Sequence, residues 1–172
     1  MQFAMLPLQG LGQGAQPIIS YNYGARSAKR VKDTYFLLLK VSLAYSTLLW
    51  ALVMLFPQAF ASIFTPNAEL VAFTGRALRI YMAVMCLFGI QMACQMTFTA
   101  LGKAKSSITV AVMRKFVLLI PLIYLLPAFL PGMIGVDKTT AVYLAEPVAD
   151  ALAVTFTAVL FFFQFRKALK KI

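Results

Sequence analysis

The sequence predicts an all-helical integral membrane bundle of five spans, and three observations carry that expectation. First, the 172 residues are 62% hydrophobic and only 12% charged, against about 45–50% and about 25% in ordinary soluble domains. Second, the apolar residues fall in runs close to the roughly 20 residues that a helix needs to cross about 30 Å of hydrocarbon. Third, Lys and Arg outnumber Asp and Glu by 16 to 5, with no His, and most of the basic residues sit between or beside those runs. A nucleic-acid binder would carry such a charge on a polar surface. Here the pattern is that of basic residues gathered in cytoplasmic loops, so the charge reports topology and no nucleic-acid partner is expected.

The spans run over 3–24, 34–57, 78–101, 108–130 and 140–164. Short connectors rich in Asn, Pro, Gly and charge separate them: GARSAKRVKD after the first, TPNAE after the second, GKAKSS after the third and PGMIGVDK after the fourth. A short interfacial helix is expected around 59–77, with Pro66 at its start and Glu69 in its first turn, where an acid suits the helix dipole. No internal repeat is visible, so 1–172 reads as one domain in contact with the lipid bilayer. Thirteen basic residues, among them Arg26, Lys40, Lys103, Arg114, Lys115 and Lys171, fall on one side, against Arg76, Arg79 and Lys138 on the other. This places the C-terminus in the cytoplasm of a multi-pass membrane protein. The first span is weakly hydrophobic and carries no cleavable signal; either a segment upstream or the other helices must bring it into the bilayer.

Polar residues inside the spans are the informative ones, because hydrocarbon rejects them and they turn to a bundle interior or a wet cavity. Gln9, Gln13, Gln16 and Ser20 share one face of the first span, accompanied by Gly10, Gly14 and Pro17. The glycine pair would let a neighbouring backbone approach closely, and Pro17 frees the carbonyl of Gln13. Gln91, Gln95 and Thr99 share a face of the third span, beside Met82, Met85, Met92 and Met96. For both groups two readings stand: amides bonding across a helix interface, or amides lining a cavity.

In the fifth span Glu146 and Asp150 lie one turn apart, with Asp150 about 15 Å inside the outer boundary. Two such carboxylates in a low dielectric do not both ionise readily, which suits a titratable or ion-linked pair. The structural alternative is pairing with Arg114. Asp33, Glu69 and Asp137 fall in connectors. Cys86 and Cys94, eight apart in an apolar run, read as small hydrophobes and leave no disulfide framework and no metal site. With no His, no phosphate loop and no nucleophile motif, an enzyme is not expected, nor is a bound cofactor.

Three blocks resemble the C-terminal lobe of bacterial multidrug and toxic compound extrusion (MATE) transporters: GLGQGAQPIISYNYGARSAKRVKDT, ALGKAKSSITVAVMRKFVLLIPLIYLLP and VYLAEPVADALAVTFTAVLF. The resemblance covers almost the whole chain and implies helices eight to twelve of a twelve-helix, two-lobe secondary transporter. It implies export of cationic amphipathic drugs by antiport against sodium ions or protons, with an N-terminal lobe and a seventh helix as partners. The positions it reaches are Gln13, Gln16, Pro17, Asn22 and Gly24, then Arg114, then Glu146 and Asp150. The acidic residue that some members carry in the tenth helix has no counterpart in 78–101. Two other readings accompany it: a structural half-module of a split or truncated transporter without activity of its own, and a lipid-linked oligosaccharide flippase of the same superfamily. The second would need a strongly basic cavity, whereas the residues expected inside are amides and two acids.

Overall fold

The computed structural model describes residues 2–63, 66–135 and 138–172. Thr65 and Asp137, which the sequence places in connectors, lie outside them. The described residues form helices joined by short turns, with no strand among them: α1 (Gln2–Gly24), α2 (Ala28–Leu55), α3 (Pro57–Ser62), α4 (Ala68–Tyr81), α5 (Phe88–Ala100), α6 (Ala104–Val112), α7 (Ile120–Ile134) and α8 (Lys138–Leu169). A 3-10 turn, Met85–Leu87, precedes α5, and a π-helical segment, Met113–Leu119, joins α6 to α7 without interruption.

Ala28–Leu55, Ala104–Phe129 and Thr139–Leu169 are each long and apolar enough to cross a membrane, and α4 with Met85–Ala100 adds a fourth if the bent pair is one span. Helix α1 is not among them, in keeping with its four glutamines and its glycines. The span expected over 78–101 is therefore broken: α4 and the following helix meet at a bend of 46°. A break in a bilayer frees backbone carbonyls that need other donors, and α2 supplies them. The Ser46 hydroxyl donates to the Cys86 carbonyl at 2.9 Å, and the Trp50 indole N–H donates to the Ala83 carbonyl at 3.0 Å. At its start α4 is capped by Asn67, whose Oδ1 accepts from the amides of Glu69 and Leu70.

Helix α5 is the central rod and packs against α1, α2 and α8. The approach to α2 is very close: a Cβ at Gly89 would stand 2.6 Å from the carbonyl carbon and oxygen of Ser42. Helix α2 buries Val31, Tyr35, Leu38, Ser42, Ser46 and Val53, one stripe at helical spacing. Helix α8 buries Ala141, Ala145, Ala149 and Ala153, a ladder of small side chains four apart that brings its axis near its neighbours. The opposite faces are apolar and exposed, including Leu37, Leu48, Phe116, Phe129 and Phe163, as expected where the solvent is lipid.

Two clusters divide the core. Phe98, Phe161, Phe165, Tyr35 and Ile19 hold the end where α1, α5 and α8 finish; there Tyr35 and Phe165 stack on Phe161 with ring centroids 4.6 and 4.8 Å away. Met5, Leu8, Met82, Met85 and Phe88 hold the other. The turns at the first end are tight. Arg26, at φ 55°, ends α1, and Gly102, at φ 70°, ends α5; in each case the next amide reaches back to a carbonyl five residues earlier, Ser27 to Asn22 and Lys103 to Phe98, closing the helix end.

Candidate functional site

Helix α1 presents two faces. Met5, Leu8, Gly12 and Ile19 are buried against the bundle, whereas Gln9, Gln13, Gly10 and Gly14 are exposed. The glycine pair therefore does not admit a neighbouring helix within this chain: a Cβ at Gly10 or Gly14 would meet nothing within 4 Å. The close contact is made at Gly12, between them, where a Cβ would stand 2.5 Å from Cγ of Met96.

Between α1 and α5 lies a cavity of about 310 Å³ lined by Gln9, Gln13, Gln91 and Gln95, with Met5, Met92, Met96, Phe88 and Arg114. The amide faces predicted separately in the first and third spans thus come together on one cavity. Gln91 is buried, and its Oε1 accepts no hydrogen bond among the described residues; an orphaned acceptor of this kind is costly unless a ligand or water completes it. A second cavity, of about 600 Å³, shares Met5, Gln9, Phe88 and Arg114 with the first and continues to Tyr81, Lys115 and Glu146.

Arg114 joins these cavities to α8. Its Nε donates to Oδ1 of Asp150 at 2.6 Å, its Nη2 stands 3.7 Å from Oε1 of Glu146, and its guanidinium lies over the Phe88 ring at 4.5 Å. Asp150 is only 4% exposed. The sequence counts Arg114 and Lys115 on the cytoplasmic side, within the span expected over 108–130. In the structure they stand about ten residues inside a continuous helical rod that starts at Ala104, roughly 15 Å along it. The π-helical segment begins at Met113, and Ile120 N–H bonds the Lys115 carbonyl five residues back; such wide turns re-aim side chains and recur at functional positions.

The remaining candidates lie apart. Gln16 is half-buried and Pro17 exposed, neither lining these cavities. Asn22 is buried, but its side-chain amide donates to the Ile18 carbonyl at 2.8 Å, so it closes the end of its own helix. Ser20 donates to the Ala100 carbonyl at 2.8 Å, tying α1 to α5. Met82 and Met85 are core residues. Sequence reasoning missed Tyr81, Phe88 and Lys115 as cavity walls; for Lys115 the available signal was a basic pair set well inside an apolar run.

Comparisons with known proteins agree with this architecture. The chain is similar to the MATE multidrug transporter DinF-BH, solved in complex with a ligand: identity is 35%, TM-score 0.82, and the match covers 94% of this chain and 35% of that one. An inward-facing multidrug resistance MATE family transporter of the MOP superfamily gives a TM-score of 0.85 at 18% identity, over 99% of this chain and 38% of its own. A MATE protein in complex with MaD3S gives 0.85 at 18% identity, over 98% and 36%. The chain thus spans little more than a third of the length of the transporters it matches. No curated protein matches it by sequence. The MatE family model matches residues 1–125, and the chain belongs to that family, whose members are membrane transporters rather than enzymes.

Proposed function

We propose that this chain forms part of a secondary active multidrug exporter, in which cationic amphipathic compounds leave by antiport against sodium ions or protons. The observation that carries this reading is the amide-lined cavity between α1 and α5, joined through Arg114 to Glu146 and Asp150. Neutral amides and methionines give a surface that takes apolar cations of varied shape, since methionine repacks readily. A carboxylate pair beside them supplies the site where a coupling cation or proton competes with Arg114. When that cation occupies Asp150, the bond to Arg114 weakens and Arg114 is released toward the cavity; this is the link between ion and substrate. The lobe and helix that complete the cavity in the assembled transporter come from outside the described bundle. Alternating access then rocks one lobe against the other around the cavity.

The test is efflux of ethidium from vesicles holding this chain assembled with a complementary lobe, under imposed sodium and proton gradients. Asp150→Asn is expected to abolish the dependence of efflux on the coupling gradient. Unchanged efflux in that variant would assign Asp150 a purely structural role.

A further inference from the structure

At the end of the bundle opposite Met5 and Phe88 lies a third cavity, of about 410 Å³, unconnected with the amide site. It is lined by Tyr23, Lys103, Gln164, Lys167, Ala168 and Lys171. Three lysines thus converge from two places, the α5–α6 turn with Lys103 and the end of α8 with Lys167 and, in the turn just after it, Lys171, and no carboxylate lines the space. Among the described residues the ion pairs are both made by Arg114, so these lysines have no acidic partner there.

Lys103 is fixed in place. Gly102, at φ 70°, turns the chain so that Lys103 follows directly, and Lys103 Nζ donates to the Gln164 carbonyl at 2.8 Å. The Gln164 side chain is fixed in turn by the Ser106 hydroxyl, which donates to its Oε1 at 2.8 Å. Burial pushes the Lys103 ammonium below the ordinary lysine range, and the positive charges of Lys171 and Lys167 push it further the same way. Like charges that line one cavity are relieved by an anion among them.

We propose that this cavity binds a phosphate-bearing anion, with Lys103, Lys167 and Lys171 as its ligands. Ammonium groups bind phosphate as point charges, and Tyr23 lines the same wall. The same chemistry is offered by the headgroup of an anionic phospholipid and by a soluble phosphate. The lysines stand where the apolar faces of α1 and α8 end, which is headgroup level in a bilayer.

The chain, purified in a neutral maltoside detergent, is titrated with phosphatidylglycerol, with phosphatidylcholine and, separately, with inorganic phosphate, and binding is read by native mass spectrometry. Phosphatidylglycerol is expected to bind in preference to phosphatidylcholine. Lys171→Gln and Lys167→Gln are each expected to weaken it about fivefold, the equivalent of the roughly 1 kcal/mol that each basic residue contributes near an anionic surface. Lys29→Gln, on the same end but outside the cavity, is expected to leave it unchanged. Lys103→Gln should weaken it at least as much; because Lys103 also ties the α5–α6 turn to α8, the Lys167 and Lys171 variants keep the test independent of that contact. Inorganic phosphate binding equally well, with the same lysine dependence, assigns the site to a soluble anion and upholds it. Equal losses from Lys29→Gln and the cavity variants, or no loss from the latter, would overturn the site.

Discussion

Gly89→Ala tests the packing that positions the amide cavity. The new Cβ would lie 2.6 Å from both the carbonyl carbon and oxygen of Ser42 and 2.7 Å from the Leu43 nitrogen, where ordinary contacts begin at 3.4 Å. The shortfall of about 0.8 Å falls on backbone inside a helix, which cannot swing aside as a side chain can, so α2 and α5 must separate. Overpacking of this kind costs about 1–3 kcal/mol, and the rigidity of both partners places it at the upper end, about 3. Alanine recovers about 1 kcal/mol of helix propensity, leaving a net loss of about 2. Gly14→Ala is the matched control: its Cβ meets nothing within 4 Å, so only the propensity gain of about 1 kcal/mol remains. Reversible unfolding of the two variants in mixed micelles, followed by circular dichroism, should separate them by about 3 kcal/mol, with Gly89→Ala the less stable. Equal stabilities would refute the close α2–α5 contact.

The other predictions concern the charge cluster and the core. Arg114→Gln strands two carboxylates, one of them buried, and should cost about 3–5 kcal/mol; adding Asp150→Asn to it should recover part of that loss, and additive single and double losses in a double-mutant cycle would show that the two residues do not interact. Phe98→Ala, at a fully buried ring, should cost about 3–5 kcal/mol in the same unfolding assay, whereas Phe163→Ala, at a ring 67% exposed, should change stability by less than about 0.5; comparable losses would contradict the placement of the aromatic core.

Much of this arrangement is legible in the sequence because bilayer-embedded helices write their surroundings into periodicity. Residues four apart at 141, 145, 149 and 153 are all alanine, and they are the buried ladder of α8. The amides at 9, 13, 91 and 95 announce polar surroundings on two separate helices, though only the tertiary structure brings them to one cavity. The break before α5 has no such mark. Residues 82–87, Met-Ala-Val-Met-Cys-Leu, hold neither proline nor glycine, and the donors that satisfy the broken turn, Ser46 and Trp50, lie on another helix. Long-range hydrogen bonds of that kind leave no local pattern. The outward direction of Gly10 and Gly14 was equally hidden, because a helical face says which residues stand together but not which neighbour they meet. Arg114 and Lys115 fall within the span expected over 108–130, but only the tertiary structure shows which cavities they line.

The central claim is that Gln13, Gln91 and Gln95 face a cavity reached by water while the outer faces of the same bundle meet lipid. The direct measurement places single cysteines at these positions, and at Leu48 and Phe163 for comparison, in a Cys86→Ala, Cys94→Ala background of the bilayer-embedded chain. Reaction with a water-soluble maleimide is then followed. Labelling at 13 and 95, slower labelling at the buried 91, and protection at 48 and 163 are the expected results; protection at the glutamine positions, or equal labelling at all five, would contradict the account.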